Sequence, residues 1–456
     1  MLPPEIFKAY DIRGVVGRTL TPEIVQAIGQ GLGSLAREKN RPAIAIGRDG
    51  RLSGPALCEA LARGIRAAGV DVIDLGMVAT PMTYFASFEL GTASSVVVTG
   101  SHNPPDYNGL KMVIDGTTLS GDDIQALRRR LEEGRLSYGS GGYRTHDIAP
   151  RYIERIASDI KLARPLRIAV DCGNGVAGAF APQLYRRIGC EVVELYCDVD
   201  GRFPNHHPDP SQPKNLADLV ARLSRGDLDL GFAFDGDGDR LGVVTPRGHV
   251  IFPDRQLMLF AADLLQRSPG ATVIYDVKST RNLKPWIVRH GGIPMLWKTG
   301  HSLIKAKMKE TGAALAGEMS GHTFFAERWY GFDDGLYAGA RLLEILAHAD
   351  DPASVLEALP DAVSTPELHV PCAEGEQHAL IAKLQQSARF TDAEDLIRID
   401  GVRVEYADGF GLARASNTTP VIVLRFEAND EIALKRIQED FRRVLSEAKP
   451  GIALPF

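Results

Sequence analysis

The chain predicts an α/β protein, with three consecutive related α/β domains built on mixed sheets and a smaller C-terminal α+β domain. Three observations carry this. At 456 residues the chain is too long for one ordinary core and suggests three or four domains. Short apolar runs alternate with helical periodicity through three successive stretches of about a hundred residues each, the size of a small domain. Beyond Val363 the order changes to helix, strand pair, strand, helix.

The elements follow in order. Ala43-Ile44-Ala45-Ile46-Gly47 reads as a buried strand, and Leu57, Leu61 and Ile65 lie four apart on one helical face. Val72 to Leu75 and Ser95 to Val98 read as further strands of a βαβ sheet. A second unit opens with the strand Leu166 to Asp171, whose glycine turn at Gly173, Gly175 and Gly178 closes strand against a helix containing Leu184 and Ile188. Leu230 to Phe234 and Leu241 to Val244 complete it. A third contains a helix over Leu257 to Leu264, a strand from Thr272 to Asp276, and helices over Leu303 to Met308 and Gly335 to Leu346. The tail has strands at Leu396 to Ile399, Val402 to Tyr406 and Val421 to Phe426, then a helix from Asp430 to Leu445. The expected domains are 1–147, 148–249, 250–361 and 362–456.

Composition bounds the function. A hydrophobic share of 44% with 24% charged residues is that of a globular chain. Lys and Arg number 52 against 58 Asp and Glu, a net charge of −6, so no general basic field attracts nucleic acid and an anionic substrate needs locally clustered cations. Arg128-Arg129-Arg130 reads as a solvated helix face. No run reaches membrane-span length and the first residues lack a leader pattern, so the expected location is the cytoplasm. The five cysteines, Cys58, Cys172, Cys190, Cys197 and Cys372, lack metal-ligand spacing and read as small buried residues without a structural disulfide.

Four motifs carry chemistry. Thr99-Gly100-Ser101-His102-Asn103-Pro104-Pro105-Asp106-Tyr107-Asn108-Gly109-Leu110-Lys111 follows a strand directly and places a hydroxyl at the carboxyl edge of a sheet, where α/β sheets bind ligands. Its two prolines predict one rigid loop containing Ser101, His102 and Lys111. Asp235-Gly236-Asp237-Gly238-Asp239-Arg240 offers three carboxylates on alternate residues, a hard oxygen set suited to Mg²⁺, with Arg240 adding positive charge. A calcium loop is excluded, because the twelfth position from Asp235 is Pro246 where that loop needs Glu.

In Gly317-Glu318-Met319-Ser320-Gly321-His322, an extended segment would project Glu318 and Ser320 from one side, a carboxylate and a hydroxyl able to bridge vicinal sugar hydroxyls. Arg414-Ala415-Ser416-Asn417-Thr418-Thr419, after the glycine-flanked turn Gly409-Phe410-Gly411, offers a cradle for a dianionic phosphate. The loop Phe203 to Pro210, with His206-His207 between prolines, reads as rigid rather than metal-binding.

Across essentially the whole chain, from Phe7-Lys8-Ala9-Tyr10-Asp11-Ile12-Arg13-Gly14 to the Arg414 motif, the sequence resembles the α-D-phosphohexomutase superfamily. The Gly317 motif is similar to the sugar loop of its bacterial bifunctional phosphomannomutase/phosphoglucomutase branch. The resemblance implies four domains around a central cleft, a phosphoserine at Ser101, and Mg²⁺ held by Ser101 with Asp235, Asp237 and Asp239. It implies that Lys111, Arg13 and His322 lie nearest the transferred phosphoryl, and that Tyr10, Lys278, His301, Glu318, Ser320 and His322 touch substrate. Arg414, Ser416, Asn417 and Thr418 become the clamp for the non-transferred phosphate.

The implied reaction interconverts hexose 1-phosphate and hexose 6-phosphate, of mannose and glucose, through glucose 1,6-bisphosphate or its mannose counterpart. Substrates are small hexose phosphates, with no nucleic acid, membrane or obligate protein partner. The general base stays open among Lys111, His322 and His301; a lysine in that role needs a depressed pKa, which neighbouring arginines could provide. The alternatives are a phosphoglucosamine mutase, against which Met319 argues, a Mg²⁺-dependent sugar phosphatase, and a non-catalytic binding protein, which would have no need of Ser101 and the three aspartates together.

Overall fold

In the computed structural model, which describes residues 2–417 and 419–456, Ser95–Val98 is buried at every position and lies inside a seven-stranded sheet. Three valines in a row, with Ser95 buried beside them, suit a strand covered on both faces. Its neighbours are Ala43–Arg48, parallel, and Tyr107–Ile114, antiparallel. Asp71–Met77 and Tyr143–Thr145 extend the parallel side, and Ile12–Val15 pairs with the outer edge of Tyr107–Ile114. The sheet is therefore mixed. Leu57, Leu61 and Ile65, on the helix Gly54–Ala67, are at most 1% exposed, as their spacing requires.

The chain divides into two units: residues up to Gln256 with His301–Ala358, and Leu257–Gly300 with Leu359–Phe456. The first unit also holds a five-stranded mixed sheet in which Leu230–Phe234 runs parallel to Arg167–Asp171 and antiparallel to Leu241–Val244. The Asp235–Arg240 loop is the connection of that last antiparallel pair. A short hairpin, Leu315–Gly317 with Thr323–Phe325, and the helix Gly335–Leu346 complete the unit. In the second unit, Thr272–Asp276 pairs in parallel with Ile293–Trp297. Its six-stranded sheet is antiparallel throughout and is covered by the helices Glu376–Ser387 and Glu431–Ala448. Val404, Phe426, Ile437 and Phe441 lie in its core.

Three sequence expectations are corrected. Lys111 is not in a loop: it stands within the strand Tyr107–Ile114, opposite Val97. Asn108, Gly109 and Lys111 read as loop residues, but pairing on both edges overrides that local preference. Gly409–Ala415 is a strand rather than a turn, and Arg414 lies opposite Val423. Gly411 belongs there because the Phe441 ring lies 2.3 Å from where its Cβ would be. Glu318 to Gly321 is the tight turn of a hairpin rather than an extended segment, since Gly321 N–H donates to the Glu318 carbonyl at 3.0 Å.

All five cysteines are free thiols. The Cys172 and Cys197 sulfurs lie 3.7 Å apart, and burial raises the Cys172 thiol well above its usual range. Among the described residues no helix is long and apolar enough to cross a membrane.

Candidate active site

Ser101 leaves the buried strand in a left-handed conformation, φ 48°. For a residue with a Cβ this costs about 1–3 kcal/mol and persists only where surroundings hold it. The turn places the Ser101 hydroxyl 3.0 Å from Asp235 Oδ2, to which it donates, and 3.1 Å from His102 Nδ1. His102 is not a cation here: burial first, then Arg240 and Arg13, hold its ring well below the usual histidine range.

The aspartate loop reaches the serine loop because Gly236 has no side chain. A Cβ there would sit 2.3 Å from the Ser101 carbonyl oxygen. Asp235, Asp237 and Asp239 are all 0% exposed, and their oxygens gather within 4.8 Å. Lys111 Nζ bonds Asp237 Oδ2 at 2.7 Å and also Asp239 Oδ2. Thr80 donates its hydroxyl to Asp237 at 2.6 Å.

The charges divide accordingly. Burial, then the charges of Asp237 and Asp239, pushes the Asp235 carboxyl well above the ordinary carboxylate range. Asp237 is held low despite burial, by Lys111 and its hydrogen bonds. Burial alone would lower Lys111, but Asp237, Asp239, Asp333 and Asp235 outweigh it and hold the ammonium above the usual lysine range. Carboxylates rather than arginines dominate the surroundings of this lysine.

The donor set fits a divalent cation. Asp237 Oδ1 and Asp239 Oδ1 are buried without a hydrogen-bond partner, a costly arrangement that a cation relieves. Three hard oxygens favour Mg²⁺-type ions over soft ones. A second grouping, Asp239 with His322 and Asp333, shares one of these carboxylates, but Lys305 already neutralises Asp333 at 2.8 Å.

Cations ring the carboxylates. Arg13 lies opposite Gly109, so it shares a face of the sheet with Lys111, and it pairs with Asp11. Arg240 Nε is 3.8 Å from Asp235 and 3.1 Å from His322 Nε2. The hairpin delivers His322, whose Nδ1 is 3.2 Å from Asp333 and 3.5 Å from Asp239. His301 lies 5.5 Å from the His322 ring and 6.4 Å from Tyr10, centroid to centroid, and burial followed by Lys305 holds it well below its usual range. Glu318, 2% exposed, and Ser320 share the turn just before His322.

The second unit holds the other predicted contacts. Arg414 Nε donates to Asp400 at 3.1 Å, and Ser416 Oγ is 3.0 Å from Thr419 Oγ1. Asn417 follows on the same turn, and Thr418 lies outside the described residues. Lys278 Nζ donates to Glu367 at 2.5 Å. Arg403 bonds the carbonyls of Val277 and Ser279 at 2.8 and 2.6 Å, and Arg425 bonds that of Lys278, fixing the Lys278 segment to the six-stranded sheet.

His206 pairs with Asp171 at 3.0 Å and His207 bonds the His102 carbonyl, so that loop buttresses the serine turn as a rigid element. Sequence reasoning missed Asp49, Arg51, Thr80, Lys305 and Asp333. Asp49-Gly50-Arg51 carried a usable signal, because it follows the strand Ala43–Arg48 as Ser101 follows Ser95–Val98.

Four family models match in chain order. They describe phosphoglucomutase/phosphomannomutase α/β/α domains I, II and III, at residues 4–137, 150–248 and 252–363, and the C-terminal domain at 367–444. A phosphoglucomutase of Neisseria meningitidis is 58% identical over 99% of this chain and 98% of its own length. A phosphomannomutase/phosphoglucomutase of Pseudomonas aeruginosa is 55% identical, over 100% and 98%. The crystal structure of a phosphoglucomutase/phosphomannomutase family protein from Burkholderia thailandensis superposes with a TM-score of 0.96, at 59% identity and 100% coverage of both chains.

Proposed function

Because the chain belongs to the phosphoglucomutase/phosphomannomutase family, we propose that it interconverts the 1- and 6-phosphates of glucose and mannose through a phosphoserine at Ser101. The observation that carries this is the Ser101 hydroxyl, held in a left-handed turn 3.0 Å from one of three convergent buried aspartates. A free serine on a surface turn needs neither the strain nor the carboxylates.

In the first half-reaction a sugar hydroxyl oxygen attacks phosphorus, its proton passes to a base, and the bond from phosphorus to Ser101 Oγ breaks. The product is a hexose 1,6-bisphosphate. After reorientation, the serine oxygen takes the other phosphoryl group and the proton returns to the new sugar hydroxyl. Transfer of this kind needs alignment and charge neutralisation above all. Lys111, Arg13 and Arg240 supply fixed positive charge beside Ser101. The proton acceptor is one of Lys111, His322 and His301, the three basic side chains beside the aspartates.

Asp235, Asp237 and Asp239, with an oxygen on Ser101, would hold Mg²⁺; bound there, the ion would neutralise charge on the phosphoryl oxygens. Glu318 and Ser320, with Tyr10, would hold the sugar hydroxyls. Arg414, Ser416, Asn417, Thr418 and Lys278 would grip the phosphate that is not transferred. These roles distribute over segments 1–147, 148–249, 250–361 and 362–456, which we assign to phosphoserine, metal, sugar and phosphate binding. Glucose 1,6-bisphosphate would serve as activator by phosphorylating Ser101.

The test is conversion of glucose 1-phosphate and, separately, mannose 1-phosphate to their 6-phosphates, with Mg²⁺ and trace glucose 1,6-bisphosphate. Turnover of both sugars, lost in Ser101→Ala and on chelation and restored by Mg²⁺, is the expected result. Failure with both sugars, or release of free phosphate in place of isomer, would overturn it.

A further inference from the structure

We propose that Arg51 is a positioning residue for phosphoryl transfer, its guanidinium holding the Ser101 turn in the conformation that presents Oγ to the three aspartates. This rests on the mutase reading above but adds a residue outside every motif that reading used.

Arg51 is 1% exposed, and every N–H of its guanidinium finds an acceptor. Nη2 donates to the carbonyls of Ser101 at 2.8 Å and Asn103 at 2.6 Å; Nη1 donates to those of Pro104 at 2.5 Å and Tyr107 at 3.0 Å. Nε donates to Asp49 Oδ2 at 3.2 Å. A planar fork satisfying four peptide oxygens of one loop fixes those peptides relative to one another, which an ammonium on a flexible stem does not do.

Asp49 completes the clamp from the other side. Its carboxylate accepts from Arg51 N–H at 2.9 Å, Gly100 N–H at 3.0 Å and the Thr99 hydroxyl at 2.9 Å. The Thr99 oxygen in turn accepts from Ser101 N–H at 2.8 Å. Both peptide groups of Ser101 are thus held, the N–H through Thr99 and the carbonyl by Arg51. A left-handed residue with a side chain requires this kind of over-determination.

The guanidinium also explains Gly100. A Cβ at that position would lie 2.3 Å from Arg51 Nε. Ala43–Arg48 and Ser95–Val98 are parallel neighbours with Arg48 opposite Val98, so the Asp49–Arg51 turn and the serine turn leave the same sheet edge. The Ser101 carbonyl that Arg51 holds also meets Gly236 of the aspartate loop, so Arg51 also fixes the spacing between nucleophile and carboxylates.

The experiment uses the full chain and the variants Arg51→Lys and Asp49→Asn, assayed with glucose 1-phosphate. It records kcat, KM, melting temperature and the fraction of Ser101 carrying phosphate by intact mass, so that kcat is expressed per phosphorylated, folded enzyme. Arg51→Lys is expected to lower that kcat about a hundredfold, as a displacement near 1 Å does, with KM held within about twofold. Asp49→Asn is expected to lower it about tenfold, since the fork stays in place without its ionic anchor.

A merely structural role predicts a lower melting temperature and a smaller active fraction with kcat per phosphorylated site unchanged, and that result overturns the proposal. Should Arg51→Lys fail to fold, Asp49→Asn decides alone: a fall in kcat at constant KM supports the clamp, and an unchanged kcat overturns it. An active parent with unaffected variants removes this inference only. A parent without isomerase activity removes it together with the mutase reading.

Discussion

Replacing Gly236 by alanine tests how tightly the reaction depends on the spacing between two loops. The new Cβ would lie 2.3 Å from the Ser101 carbonyl oxygen, and both partners are backbone, so no flexible side chain can yield. Restoring an ordinary 3.4 Å contact separates the loops by about 1.1 Å, which stretches the 3.0 Å contact between Ser101 Oγ and Asp235 by a comparable amount. A displacement near 1 Å costs about a hundredfold in rate, or about 2.7 kcal/mol of barrier. The assay is turnover of glucose 1-phosphate with Mg²⁺ and trace glucose 1,6-bisphosphate, beside a thermal melt. Overpacking costs about 1–3 kcal/mol of stability, so the variant should still fold at 25 °C and bind substrate with KM little changed. A Gly236→Ala enzyme with kcat within threefold of the parent would refute the reasoning, because the loops would then tolerate a spacing that the chemistry was held to forbid.

Two further outcomes are expected. Burial raises the Asp334 carboxyl to about 7 from 3.8, where it caps the helix Gly335–Leu346 and accepts from the Tyr152 hydroxyl at 2.8 Å. Protonated in the fold and ionised once unfolded, it contributes stability that is full below pH 3.8 and lost as the pH rises through about 7. Melting temperatures between pH 4 and 8 should therefore fall with rising pH more in the parent than in Asp334→Asn, and parallel curves would contradict this. Removing the clamp guanidinium with Arg414→Ala should raise KM for both glucose 1-phosphate and glucose 6-phosphate about tenfold or more, the worth of a charge-assisted hydrogen bond. A change confined to one isomer, seen in steady-state kinetics, would show that Arg414 does not grip a phosphate common to both.

Much of this was legible because the signals are local. Ser95–Val98 and Leu230–Phe234 are short apolar runs, each ended by a residue set that cannot continue a strand, and the structure returns both with the expected bounds. Three aspartates alternating with glycines in one short loop are a pattern visible without the fold. Where sequence reasoning went astray, the deciding contact was distant. Lys111 stands within a strand because Val97 pairs with it and Ile12–Val15 pairs with the residues just before it. Its charge is decided by Asp237 and Asp239, far along the chain.

By itself the sequence determined the α/β character, the strand-borne serine, the acidic loop and the membership of those loops in one family of enzymes, since periodicity and short motifs are properties of neighbouring residues. Tertiary structure alone decided how they act together. The left-handed turn at Ser101 is held by Arg51, about fifty residues before it. The approach of Gly236 to that turn, the pairing of Asp333 with His322, and the strapping of the Lys278 segment by Arg403 likewise join residues that no local pattern connects. Peptide carbonyls and buried charges take whatever partner the fold brings within about 3 Å, and a one-dimensional pattern carries no record of that distance.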